Sequence, residues 1–251
     1  PAARDGYVLE NGNVLIAWGN EVKEFTRNHQ VVFHYTKSAE NKEIGTVQRL
    51  PSGNTLITEL GARPRLMEVS SDGEILIDCP LKPETKNAHM QTRMARKLPN
   101  GNYLVPHLLA FKVKEYAPDG RVVKEFPTDL PELGGRPAEN WPFTAIRLAN
   151  GNTLVNLTHG NKTVEMNADG NVVWKVSNDD FEDNPFADPC GAQRLPNGNT
   201  VIASYAARKG IKLFEVTREK KLVWSYTGPH RVHHFQILTT NGKPVPGTPL
   251  K

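Results

Sequence analysis

A short turn signature recurs along the chain and narrows what it can fold into. It reads Leu9-Glu10-Asn11-Gly12-Asn13, Leu50-Pro51-Ser52-Gly53-Asn54, Leu98-Pro99-Asn100-Gly101-Asn102, Leu148-Ala149-Asn150-Gly151-Asn152 and Leu195-Pro196-Asn197-Gly198-Asn199. A looser sixth copy, Leu238-Thr239-Thr240-Asn241-Gly242, is one residue longer. The glycines stand at 12, 53, 101, 151, 198 and 242, so successive copies lie 41, 48, 50, 47 and 44 residues apart. Repeats of that period are the mark of arrays built from one supersecondary unit. An Asn-Gly pair flanked by β-type residues supplies the positive φ that a tight hairpin needs.

Each full repeat reads as four short strands. In the second they are predicted at Thr46–Leu50, Thr55–Glu59, Leu66–Val69 and Glu74–Asp78, with Ser71-Asp72-Gly73 turning the third into the fourth. The third strand always carries a glutamate: Glu24, Glu68, Glu115, Glu165 and Glu215. The fourth ends apolar or aromatic, as at Phe33, Tyr35, Phe126, Trp174, Trp224 and Tyr226. No segment has the length and 3.6-residue period of a substantial helix. The expected fold is all-β: a β-propeller of four-stranded antiparallel blades, six-bladed with the last blade incomplete, in a single domain spanning 1–251. Residues before Pro1 would then supply the missing outer strands. Five blades followed by an extra C-terminal segment is the alternative.

Composition removes other classes. The 38% hydrophobic and 23% charged content suits a folded domain. No run of about 18 apolar residues offers a membrane span. The net charge of +4 is scattered, and basic residues do not interleave with aromatic ones, so no nucleic-acid partner is expected. Two cysteines, Cys79 and Cys190, are too few for a disulfide scaffold. A monomer with a small-molecule or carbohydrate ligand is the expectation.

The strand grammar and its Leu-Pro-Asn-Gly-Asn-Thr hairpins resemble the secreted bacterial β-propeller proteins described as PQQ-like or arylsulfotransferase-like. The stretches Met90-Gln91-Thr92-Arg93-Met94-Ala95-Arg96-Lys97-Leu98, Cys190-Gly191-Ala192-Gln193-Arg194-Leu195 and His233-His234-Phe235-Gln236-Ile237-Leu238 look like those of a planctomycete-type subgroup. The resemblance spans essentially the whole chain and implies the fold and a secreted or periplasmic location, this chain being the mature or trimmed form. Arylsulfotransferases use channel His and Arg residues, for which this chain has candidates without a motif-by-motif match. The vicinal cysteines and acidic metal site of quinone-binding dehydrogenases are missing, so bound PQQ is not implied and the cofactor stays open.

Strand direction sorts the loops. The Asn-Gly and Asp-Gly hairpins share one face, and the long connectors Pro80–Thr92, Pro127–Phe143 and Ser177–Pro189 collect on the other, where sites usually sit. Six of the eight histidines, His89, His107, His159, His230, His233 and His234, map to that irregular face. Converging imidazoles could transfer protons or bind a metal, or simply cap strand ends. Five residues before the hairpin glycine, on the strands expected to line the channel, stand Gln48, Arg96 and Gln193, with Gln236 in the longer sixth copy. They would either hold a polar ligand or tie neighbouring blades together. One position later Arg49, Lys97, Arg147 and Arg194 fit inter-blade ion pairs with the third-strand glutamates. A polar depression lined by His89, Arg96, Gln48, Gln193, His234 and Gln236 is expected, with His107, His159 and Trp141 on its wall and His233 beside it. His89 and His234 would be acid–base groups, and Arg93 and Arg96 anion clamps. Two functions remain: an enzyme acting on an anionic or sugar-like molecule, and a non-catalytic propeller binding a protein or polysaccharide.

Overall fold

A computed structural model describes residues 3–245 and Lys251. Pro1, at which the expected sixth blade would be completed, lies outside them. The chain falls into two compact units, 1–126 and 127–251. In the first, blade 1 is formed by β1 (Asp5–Val8), β2 (Val14–Ala17), β3 (Glu21–Phe25) and β4 (Val31–Thr36). Blade 2 is formed by β5 (Asn41–Arg49), β6 (Thr55–Gly61), β7 (Arg65–Val69) and β8 (Ile75–Pro80). Blade 3 has β9 (Arg96–Lys97), β10 (Tyr103–His107), β11 (Lys112–Tyr116) and β12 (Val122–Pro127). In the second unit, blade 4 has β13 (Pro142–Arg147), β14 (Thr153–Leu157), β15 (Lys162–Met166) and β16 (Val172–Ser177). Blade 5 has β17 (Pro189–Arg194), β18 (Thr200–Ser204), β19 (Leu213–Val216) and β20 (Leu222–Tyr226). Each is a four-stranded meander, its strands hydrogen-bonded in chain order.

The turn signature does what its composition demands, with one refinement. The leucine carbonyl accepts from the glycine N–H (Gly101 to Leu98, 3.0 Å) and the leucine N–H donates to the residue after the glycine (Leu98 to Asn102, 2.8 Å). This is a three-residue hairpin whose glycine closes it in the left-handed region. Gly12, Gly53, Gly101, Gly151 and Gly198 have φ of 82, 89, 88, 86 and 88°. The preceding asparagine does not go left-handed; in four copies, with Ser52 in the fifth, its side chain accepts from the backbone two residues on, as Asn100 Oδ1 does from Asn102 N at 3.0 Å.

Within each unit the core lies between consecutive blades. Leu15, Ala17, Val22 and Phe33 of blade 1 pack on Ile44, Val47, Ile57, Met67 and Val69 of blade 2. Leu56, Leu66 and Cys79 of blade 2 pack on Tyr103, Val105 and Tyr116 of blade 3. Phe186, Ile202, Phe214 and Val216 form the corresponding layer against Val176 in the second unit.

A polar clamp accompanies each apolar layer and explains the glutamate of every third strand. The second asparagine of the turn donates to it within the blade: Asn13 to Glu24 at 2.6 Å, Asn102 to Glu115 at 2.7 Å, Asn152 to Glu165 at 2.8 Å and Asn199 to Glu215 at 2.6 Å. The following blade adds a cation. Arg49 pairs with Glu24, Lys97 with Glu68 and Arg194 with Glu165, the last at 3.2 Å. The expected inter-blade ion pairs are therefore present at these three junctions. Burial would raise the Glu165 carboxyl, but Asn152 and the guanidiniums of Arg218 and Arg194 outweigh it and hold it below the ordinary carboxylate value.

Two expectations need correction. Among the described residues the blades number five, not six. After β20 the described residues form only a two-residue-per-strand hairpin, β21 (Thr239–Thr240) with β22 (Lys243–Pro244). Pro244 has no N–H to carry a further ladder on that strand. The first strand of blade 2 also begins earlier than Thr46, at Asn41, because bulges at Asn41/Glu43 and Ile44/Thr46 let an irregular stretch stay paired with β6.

Two measurements check this account. Gly101→Ala should lose about 1 kcal/mol in urea unfolding, with Gly101→Asn losing less, because space for a Cβ exists and only the backbone conformation resists it. Glu165→Ala should cost about 3 kcal/mol, since it strips the partner from Arg194 and three further donors.

Candidate functional site

The polar residues of the first strands are spent largely on neighbouring blades. Gln48 Oε1 accepts from Lys97 N at 3.0 Å. Gln193 holds the backbone of Ile237 from both sides, accepting from its N–H at 2.8 Å and donating to its carbonyl at 3.3 Å. Thr46 accepts from Ala95 N at 3.1 Å, and Thr144 donates to the Cys190 carbonyl at 2.7 Å. Arg96 is buried, its Nη1 3.3 Å from Asp5 Oδ2 and its guanidinium 5.6 Å from the Tyr7 ring. Asp5 also accepts from Val47 N at 3.2 Å.

The first unit gathers one cluster that does project a titratable group outward. Glu43 sits on the irregular start of β5, and a single 3₁₀ turn, Ala88–Met90, sets His89 opposite it. His89 Nδ1 lies 3.1 Å from Glu43 Oε1, while its side chain is 57% exposed. Arg93, 3% exposed, reaches the same carboxylate oxygen at 3.2 Å and also donates to the His89 carbonyl. Arg4 reaches Oε2 at 3.0 Å. Burial alone would raise the Glu43 carboxyl, but the hydrogen bond from His89 and the charges of Arg93, His89 and Arg4 reverse the sign and hold it low. Arg93 Nη2 is also 2.8 Å from His89 Nδ1. A protonated Nδ1 donates to Glu43; an unprotonated one accepts from Arg93. Both neutral forms of the ring are thereby satisfied, and Nδ1 is occupied in each, leaving Nε2 as the atom that can exchange a proton with a bound molecule.

His107 has a different role. It is fully buried: Nδ1 bonds the Gln91 carbonyl at 3.1 Å and Nε2 bonds the Tyr116 hydroxyl at 2.8 Å. Lys82 N donates to that same hydroxyl at 3.0 Å, so Tyr116 gives its proton to Nε2 and Nδ1 carries the ring proton. Burial, with Lys114 nearby, pushes the imidazole pKa down to about 3.

In the second unit His233 and His234 stand edge to face, ring centroids 4.4 Å apart. Phe143 and Tyr205 each lie 5.0 Å from His233, and Arg231 lies over Tyr205 at 5.0 Å. Gly191 packs tightly beneath them: a Cβ there would meet the His233 carbonyl at 3.0 Å and His234 Nδ1 at 3.3 Å, so a larger residue needs these groups to give way slightly. Gln236 is half-buried on the same segment, and Cys190 is buried and reduced. Trp141 and His159 stack at 4.0 Å with planes 25° apart, and Glu139 holds His159 Nδ1 at 3.2 Å. Thus His89 and Arg93 meet in the first unit, apart from buried Arg96 and His107. His233 and His234 meet in the second, as do Trp141 and His159.

Sequence reasoning misses Glu43, because the first strand of blade 2 is expected only from Thr46, and misses Arg4, Tyr205 and Arg231, which show no pattern along the chain. Among the described residues no group of three or more His, Cys, Asp or Glu is arranged to hold a metal ion. No described helix is long and apolar enough to cross a membrane.

The model of the family described as Mal s 1 allergenic protein-like matches residues 24–181. No curated protein matches the chain. Among solved structures, a protein of unknown function from Bacteroides caccae is similar at 25% identity and TM-score 0.78, over 90% of this chain and 81% of that one. Virginiamycin B lyase from Staphylococcus aureus is similar at 14% identity and TM-score 0.66, over 92% and 73%. The same enzyme in a catalytically inactive His-to-Ala form, solved with quinupristin, matches equally. At that identity the likeness concerns the fold.

The His107 geometry makes stability depend on pH. An unfolded imidazole takes up a proton below about 6.5, whereas the folded one does so only near 3. Stability should therefore be complete above pH 6.5 and fall through the interval down to 3, by up to about 1.4 kcal/mol per pH unit from this group. His107→Gln should flatten that interval in urea titrations at stepped pH, relative to the parent.

Proposed function

The chain belongs to the Mal s 1 allergenic protein-like family, and we propose that it is a β-propeller binding an anionic or sugar-like small molecule, with His89 as acid–base group. The observation that carries this reading is the exposed His89 ring, fixed at Nδ1 by Glu43 and Arg93 and open at Nε2. A carboxylate behind an imidazole sets its orientation and stabilises the imidazolium formed when Nε2 takes a proton. Arg93 and Arg4 outnumber Glu43 in the cluster, so the local charge favours an anion. The Trp141–His159 stack in the second unit, Trp141 half-buried and His159 exposed, offers an apolar plate of the kind that sugar rings lie against. A similar fold that loses activity on a His-to-Ala change supports a catalytic histidine, without identifying its position here. The secreted or periplasmic location implied by the PQQ-like and arylsulfotransferase-like resemblance accords with extracellular sugars or anions as ligands.

A second reading, a non-catalytic propeller that binds a protein or polysaccharide, draws on a separate observation. Gln48, Gln193 and Arg96 are committed to blade-to-blade contacts or to Asp5. With those groups taken, the ligand would be met by surface loops alone.

Calorimetric titration with sulfate, glucuronate and a glucuronate-terminated disaccharide, at about pH 5.5 and about pH 8 to span ordinary histidine titration, separates the readings. Chromatography of the disaccharide after incubation reads out chemistry. Arg93→Ala should weaken anion binding by about tenfold, and His89→Ala should retain binding while losing turnover. Binding and turnover unchanged in both variants would refute the His89 assignment. Binding with no turnover in the parent would favour the non-catalytic reading.

A further inference from the structure

The faces that consecutive blades turn toward one another can be compared position by position within this chain. On blade 1, Arg49 of the next blade pairs with Glu24 and lies 5.3 Å from the Phe33 ring. On blade 4, Arg218 pairs with Glu165 and lies 5.3 Å from the Trp174 ring, whose indole N–H donates to the Arg218 carbonyl. On blade 2, Lys97 covers Glu68. Strand register makes Phe33, Ile77, Trp174 and Trp224 one equivalent set, and Tyr35, Cys79, Val176 and Tyr226 another. Glu24, Glu68 and Glu165 are all buried.

Blade 5 presents the same constellation uncovered. Trp224 is 43% and Tyr226 38% exposed, against 5% for Phe33 and none for Cys79 and Val176. Glu215 is half-buried; Asn199 bonds it, and among the described residues no lysine or arginine pairs with it. The reason lies in one residue. Gln193 holds the backbone N–H of Ile237 as Gln48 holds that of Lys97, so Ile237 occupies the place of Lys97 and, by repeat position, of Arg49 and Arg194. Its side chain carries no charge. Leu238 beside it is exposed as well.

We propose that the Glu215–Trp224–Tyr226 face is a receptor for an arginine side chain carried on an extended segment of another polypeptide. The carboxylate takes the guanidinium hydrogen bonds while the indole takes its flat face, a combination a lysine ammonium matches less well. Charge complementarity and continuity with the three occupied junctions argue for this occupant. It is independent of the His89 reading, since it uses neither His89 nor its neighbours.

The probe is a fluorescein-labelled synthetic peptide with the sequence of residues 192–200, the stretch whose Arg194 covers Glu165 on blade 4. Anisotropy titration into the full chain should give saturable binding. Replacing the peptide's arginine by citrulline should weaken it about tenfold, as should Glu215→Gln in the protein. Ile237→Arg supplies the guanidinium from within the chain, and should abolish peptide binding while raising the unfolding temperature. Binding that does not saturate, or that ignores citrulline, Glu215→Gln and Ile237→Arg alike, would overturn the proposal. Concentration-dependent dimers of the full chain that Glu215→Gln dissolves would assign the face to a second copy and likewise overturn it.

Discussion

A carboxylate on each third strand, buried in the first four blades, organises them. The clamp joins levels of structure that are usually separate. The turn that shapes the first hairpin also supplies the asparagine that bonds the glutamate. The next blade supplies the cation that neutralises it. A carboxylate removed from water must be both hydrogen-bonded and charge-paired to be tolerated. Hairpin geometry, sheet order and blade contact are thereby coupled, and the apolar layers between blades are held in register by a polar rim at the turn end.

The candidate chemistry lies where this regularity stops. Glu43 is carried by bulged residues at the start of β5, His89 by a three-residue 3₁₀ turn, and Glu139 by a left-handed backbone conformation beside Trp141. Regular strands fix side chains in an alternation that the clamp and core already use up. Irregular backbone at the opposite end of the strands is free to aim an imidazole at solvent while a carboxylate steadies it. His107 shows the contrast: at the end of a regular strand its ring is consumed by Gln91 and Tyr116 and kept neutral.

Legibility in the sequence follows the same division. The five turn glycines, the four-strand grammar and the ion pairs from Arg49, Lys97 and Arg194 were readable because each depends on residues at fixed spacing. Gln48 and Gln193 were readable as polar first-strand positions, with their ligand role and blade-tying role undecided until the partners Lys97 and Ile237 were seen. Glu43 was unreadable, since its partners His89 and Arg93 lie 46 and 50 residues away on a connector of irregular length. The blade count failed for a related reason. The sixth turn copy, Leu238–Gly242, looks like a hairpin and is one, with Thr239–Thr240 on Lys243–Pro244, but nothing in that signature requires two more strands to follow.

The clamp also has a direction. The acids of blades 1, 2 and 4 each meet a base carried by the blade that follows, so the contact is heterologous, head to tail, in the way that identical subunits join into rings or filaments. Such a contact specifies what comes next and carries no information about when to stop. A whole repeat added or lost leaves a matched junction wherever the blades that come to meet carry the acid and the base. At Ile237 an uncharged residue takes the basic position, and among the described residues the acid of the preceding blade, Glu215, keeps its asparagine without gaining a cation.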